Sequence, residues 1–214
     1  DGETHQGIFD LSYLSSIPGM HILAPKNKWE LSDMLKFALS LQRPAAVRYP
    51  RGSAYDGLKE FRSPIALGKS EIIYEEEDIV LVAVGSMVKT AVTVRKGLKD
   101  MGYACSLVNA RFVKPIDEEM IREMAQGHKL LVTMEENVAS GGFGEKVREY
   151  MDSLHGSCRM LAIAIPDEYV EHGNVALLYQ EVGIDADTVL KRVVTAYASA
   201  CADVGNRVNE GAGR

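Results

Sequence analysis

Four stretches of the chain place chemistry-bearing side chains at spacings that matter. The first, DGETHQG, sets Asp1 and His5 four residues apart, ahead of an apolar helical pattern. Histidine titrates near neutrality, so it can donate, accept or bind an anion, and a nearby carboxylate favours its charged form. The plainer alternative is an exposed polar loop that caps a helix. The second, RYPRG, ends an apolar run with Arg48 and Arg51. The planar fork of arginine suits phosphate or carboxylate. A surface arginine paired with an acidic neighbour competes with that reading, because exposed arginines are common.

The third stretch, SGGFG, precedes a helical pattern. A glycine-rich turn at a helix N-terminus can cradle an anion. Its spacing matches neither GxGxxG nor the Walker pattern, so tight backbone packing explains it equally well. The fourth combines EEN with PDEYVEHG and supplies Glu135, Glu136, Asp167, Glu168, Glu171 and His172. Those types could form a metal site or an acid/base pair, but His172 fits no zinc spacing. Strand-end carboxylates commonly cap the helix that follows, so a structural or interface role is expected of them.

Elements with two different periods must hold these stretches. A helix is expected over 6–16, a buried strand at HILAP and a helix from Lys28 to Leu41 capped by Asn27. The apolar face of that helix is read as Trp29, Leu31, Met34, Leu35, Ala38 and Leu39, and AAVRYP is a further strand. A linker over 54–78 holds a short strand near Ser70 to Tyr74. From residue 79, strands and helices alternate: IVLVAVG, a helix capped by Ser86 and running to about Met101, one strand CSLVNARFV, a helix opened by Pro115 and Asp117, KLLVTMEEN, the GGFG helix, RMLAIAIP and two final helices. That alternation means an α/β fold with a mainly parallel sheet over 79–202. The glycine-rich polar end, 203–214, reads as a flexible tail.

Composition narrows the function classes. The chain has 214 residues and a net charge of −6. Without a basic stripe it is not expected to bind nucleic acid or an anionic membrane. No apolar run reaches the roughly 20 residues that span a bilayer. Cys105, Cys158 and Cys201 are widely spaced, which fits small buried thiols in a reducing cytosol rather than disulfides or metal ligands. A strand–helix unit of about 50 residues is a poor domain by itself, so the first block is expected to be part of a larger one.

At these motifs the chain resembles the 1-deoxy-D-xylulose-5-phosphate synthase family of transketolase-like thiamine diphosphate enzymes. The resemblance rests on DGETHQGIFDLSYLSSIPGM, LAP, AVRYPRG, VNARFVKPID, EEN with GGFG, and IPDEYVEHG, in that order. It implies that 1–53 is the C-terminal part of a pyrimidine-binding domain and that 79–202 is a transketolase C-terminal domain. It also implies an enzyme that condenses pyruvate with D-glyceraldehyde 3-phosphate, releases CO₂ and works as a cytoplasmic homodimer, or in the plastid stroma of a plant. Asp1 and His5 match the DG-x-TH pair that contacts substrate polar groups, and Arg51 matches an arginine that holds the acceptor's phosphate.

The same resemblance places the diphosphate and Mg²⁺ motif, and the glutamate that activates the cofactor, upstream of Asp1. This chain alone is therefore expected to bind neither thiamine diphosphate nor metal and to be inactive. It is expected to depend on the N-terminal part of the same enzyme. Two rival readings remain open: a module that only assembles subunits, and a β-subunit-like partner of a 2-oxoacid dehydrogenase.

Overall fold

A computed structural model describes the backbone of residues 2–211 and the side chains through residue 202. The first block contains α1 (Asp10–Ser15), β1 (His21–Leu23), α2 (Lys28–Ser40) and β2 (Ala45–Val47). β1 and β2 pair in parallel, as a strand–helix–strand unit should. Helix α1 is shorter than the expected 6–16. Gln6 and Gly7 stay outside it because their segment is drawn onto neighbouring elements. Asn27 caps α2 as expected, its side chain accepting from the Glu30 N–H at 3.0 Å.

The buried face of α2 differs from the periodicity reading. Met34 is buried, but Leu35 is 47% and Leu39 85% exposed, while Glu30 is buried. A charged partner inside the fold, described below, turns the helix toward Glu30.

The second block begins with β3 (Glu71–Tyr74) and β4 (Asp78–Ala83), then α3 (Met87–Asp100) and β5 (Cys105–Asn109). β6 (Phe112–Lys114), α4 (Glu118–Gly127), β7 (His128–Val138), α5 (Phe143–Ser153) and β8 (Arg159–Ile165) follow. The chain closes with α6 (Val175–Glu181) and α7 (Ala186–Gly211). The helical backbone of α7 thus runs beyond residue 202, into the stretch read as a tail. Residues 212–214 lie outside the described residues.

Five strands form the larger sheet in the order β3-β5-β4-β7-β8. All its pairings are parallel except β3 with β5, so the α/β class and the mainly parallel sheet hold. Alternate residues of β4 serve opposite layers. Ile79 and Leu81 pack with Val94 and Leu98 of α3 and Val193 of α7. Val80 and Val82 pack with Ile121 of α4 and Val147 of α5. Both faces are covered, which is why the strand reads as a continuous apolar run.

CSLVNARFV is not one strand. The chain turns at Arg111, whose φ is 58°, and β6 leaves the large sheet. It pairs antiparallel with β1, giving a second sheet of order β2-β1-β6. A strand from the second block therefore flanks the first block's sheet, and β2 forms its other edge.

The cause is a buried polar cluster. Arg111 donates to Glu30 at 2.8 Å and Glu71 at 2.9 Å, and to the carbonyls of Ser63 and Pro64. Lys26 Nζ lies 3.0 Å from Glu30 and 2.6 Å from Glu71. Asn109 Nδ2 donates to the Glu30 carboxylate, 2.9 and 3.0 Å from its two oxygens. Two cations face two anions, and each is hydrogen-bonded, the condition under which charges can be buried. Burial pushes the Glu71 carboxyl up, but Lys26, Ser63 and Arg111 more than offset this and hold it below the ordinary range.

Candidate functional site

The carboxyl ends of β2, β7 and β8 converge, and that is where ligands sit in open α/β sheets. The polar N-terminal loop is held there from two sides. Val138 N–H donates to the Ile8 carbonyl at 2.8 Å. Val170 N–H donates to Gln6 Oε1 at 3.2 Å. Phe9 meets Tyr169 edge-on, with ring centroids 5.4 Å apart. Asn137, at the end of β7, accepts from Leu11 N–H at 3.0 Å and donates to Ser12 Oγ at 2.8 Å, which docks α1. His5 is exposed, its ring Nδ1 2.9 Å from Thr4 Oγ1. Asp1 lies outside the described residues.

The second contributor is the end of β2. Arg48 N–H still pairs with the Leu23 carbonyl at 2.8 Å. Its guanidinium crosses to β7, reaching Glu136 Oε2 at 3.3 Å and the Glu136 carbonyl at 2.9 Å. The chain then turns through Tyr49 and Pro50 to Arg51. Glu136 also accepts from Ser86 Oγ at 2.5 Å. Contrary to the sequence reading, Ser86 sits at the start of α3 without capping it through its side chain, because its hydroxyl is taken by Glu136. The Tyr179 hydroxyl of α6 faces the same carboxylate. Burial first, and then Glu136, push its pKa well above the ordinary value.

These segments enclose a cavity of about 410 Å³ whose polar wall includes His5, Gln6, Arg48, Arg51, Glu136 and Glu171. Val170, Leu178 and Tyr179 supply apolar wall. A second cavity of about 540 Å³ shares the turn from Tyr49 to Gly52 and reaches Ser86 and Lys89. Five of the residues singled out in the sequence, His5, Arg48, Arg51, Glu136 and Glu171, thus line one cavity. Arginine and histidine beside an apolar wall can take a small anionic molecule with a non-polar body.

The other candidates resolve differently. The glycine-rich turn holds an anion of the protein's own. Phe143 and Gly144 N–H groups each donate to the Glu135 carboxylate at 2.7 Å. Burial pushes Glu135 up to about 7, against the pull of those two N–H groups and of Lys146 and Arg48. The turn is therefore packing around an internal cap, as one of its two readings holds. Asp167, Glu168 and His172 lie on an exposed loop.

A Mg²⁺-bound diphosphate takes several oxygen ligands, usually carboxylates among them. Among the described residues no three His, Cys, Asp or Glu side chains converge on a point. Also among the described residues, no helix is long and apolar enough to cross a membrane.

The family model of the transketolase C-terminal domain matches residues 68–189, more than half of the 214. The chain belongs to the transketolase family. The model of the transketolase pyrimidine-binding domain matches residues 1–55. Curated relatives of this transketolase-family chain include the 1-deoxy-D-xylulose-5-phosphate synthases of Lachnoclostridium phytofermentans, Clostridium tetani and Aquifex aeolicus. They are 48%, 41% and 42% identical over 90%, 91% and 90% of the chain. The chain spans 31% of the length of each of these three.

Among solved structures, a split-gene transketolase described as an inactive beta4 tetramer superposes with a TM-score of 0.84 at 26% identity. It covers 92% of this chain and 64% of that one. The transketolase of Campylobacter jejuni, at TM-score 0.63 and 17% identity, shares the fold over 91% of this chain and 29% of its own.

Within this transketolase-family chain, VNARFVKPID works as scaffold. Asn109 and Arg111 build the buried cluster, and Phe112 to Lys114 form β6. Lys114 caps the end of α1 through the carbonyls of Ser15 and Ile17, both at 2.8 Å. Asp117 caps α4. Sequence reasoning passed over Gln6 and Tyr179. Gln6 lies inside the polar loop and was within reach of that reasoning, whereas Tyr179 meets Glu136 from a distant helix with no local signal.

Proposed function

We propose that this transketolase-family chain supplies the acceptor-binding side of a 1-deoxy-D-xylulose-5-phosphate synthase. The whole enzyme would join pyruvate to D-glyceraldehyde 3-phosphate with loss of CO₂, using thiamine diphosphate and Mg²⁺ held by polypeptide outside this chain. The cofactor would supply the carbanion chemistry. Arg51 would hold the aldehyde's phosphate through charge-assisted hydrogen bonds. His5 and Asp1 would contact the substrate's polar groups, and an N–H of His5 would favour charge developing on the alkoxide. The observation that carries this reading is the meeting of the His5 loop and the Arg51 turn on one cavity. The synthase names of the relatives favour it over a dehydrogenase β subunit.

A chimera tests it: this chain replaces the matching last third of the Lachnoclostridium phytofermentans synthase. The chimera should form 1-deoxy-D-xylulose 5-phosphate only when both pyruvate and glyceraldehyde 3-phosphate are supplied. A folded chimera that binds cofactor yet forms no product would contradict the proposal.

A second reading, self-assembly without activity, is favoured by the beta4 description of the split-gene transketolase and by the exposure of Leu35 and Leu39 beside edge strand β2. Sedimentation of this chain alone distinguishes a monomer from such an assembly.

A further inference from the structure

Four distant segments meet at one carboxylate in the wall of the cavity. Glu136, at the end of β7, takes Arg48 from β2 and Ser86 from the start of α3, and faces Tyr179 of α6. The Arg48 and Glu136 side chains are 14% and 17% exposed. Arg48 makes a second bond to the Glu136 carbonyl, so its guanidinium is held at two points. Three residues later the same backbone delivers Arg51 to the cavity. The turn between them, Tyr49 and Pro50, is exposed and contributes to the lining of both cavities.

We propose that Glu136 is a positioning residue for phosphorylated-acceptor binding: it clamps Arg48 and thereby fixes the turn that presents Arg51. This rests on the function proposed above. A neutral side chain at 136 retains much of the shape but weakens the hold on Arg48. A charged arginine that loses its partner in a partly buried wall is expected to reorient, carrying the turn with it. Displacement of a binding group by about 1 Å can cost up to a hundredfold in an enzyme's performance.

The test uses the intact synthase that carries this chain. Glu136→Gln should raise the KM for glyceraldehyde 3-phosphate by about tenfold. The KM for pyruvate and the thermal midpoint should stay close to those of the parent. Arg48→Lys keeps the charge and loses the fork, and it should show the same split if Glu136→Gln folds poorly. Arg51→Ala is run beside them. If Arg51→Ala raises the acceptor KM and neither other variant does, the positioning role is overturned while the function stands. If Arg51→Ala has no effect, the function reading fails and takes this inference with it. A lowered thermal midpoint with unchanged KM values would reduce Glu136 to fold support and overturn the proposal.

Discussion

Arg111 Nε lies 2.8 Å from Glu30 Oε1, with the two side chains 2% and 3% exposed. One residue belongs to the turn between β5 and β6, the other to helix α2. Their contact ties the first block to the second and turns Glu30, rather than Leu35 and Leu39, inward. Removing Arg111 leaves two buried carboxylates, Glu30 and Glu71, sharing the single cation Lys26, so one negative charge is uncompensated. Arg111→Ala should therefore cost about 3–5 kcal/mol of folding stability, read by urea unfolding of this chain. A loss below about 1 kcal/mol would mean that the cluster tolerates one excess buried negative charge.

Much of the architecture was legible because it is local. Asn27 and Asp117 cap their helices as their positions predict, and β4 and β7 show the apolar runs of two-sided burial. The β5–β6 break was not legible. It depends on Arg111 finding Glu30 and Glu71, which lie far away in sequence, and strand propensity across CSLVNARFV hides the turn. The cavity was half legible. His5 and Arg51 carry recognisable chemistry, but the clamp of Arg48 by Glu136 exists only when β2 and β7 end side by side.

The glycine turn gives a steric prediction. Gly142 has φ −74°, which any residue can adopt. A Cβ there would come within 2.6 Å of Glu135 Oε2 and 2.8 Å of the Val138 carbonyl. Gly142→Ala should destabilise by about 1–3 kcal/mol. Gly156→Ala, where a Cβ meets nothing within 4 Å, should change stability by less than about 0.5 kcal/mol. Paired thermal melts check both, and equal midpoints would remove the close-packing account of the turn.

Asn137 accepts the buried Leu11 N–H and holds Ser12. Asn137→Ala leaves that N–H without its acceptor, at a cost of about 1–3 kcal/mol. Hydrogen exchange at Leu11 should speed up accordingly, while exchange in β4 follows only the global change. Unchanged protection at Leu11 would show that α1 is docked by other contacts.

Glu135 makes stability depend on pH with a definite sign. Its ordinary value is 4.5, and burial pushes it up to about 7 in the fold. Between those values the folded chain keeps a proton that the unfolded chain releases. The group's contribution is thus full below about pH 4.5 and declines as pH rises through 7. Glu135→Gln cannot titrate, so parent stability minus variant stability should fall between pH 4.5 and 8. Urea unfolding across that range measures it, and a flat or rising difference would contradict the burial argument.

The central claim, that this chain supplies the phosphate-binding side of the acceptor site, meets its most direct test at Arg51. Steady-state kinetics of Arg51→Ala in the intact synthase, with glyceraldehyde 3-phosphate and unphosphorylated D-glyceraldehyde compared side by side, isolates the phosphate contact. The account predicts a loss of at least about tenfold in kcat/KM for the phosphorylated aldehyde, consistent with one charge-assisted hydrogen bond, and less than about twofold for the other. Equal losses for both aldehydes, or no loss for either, would contradict it.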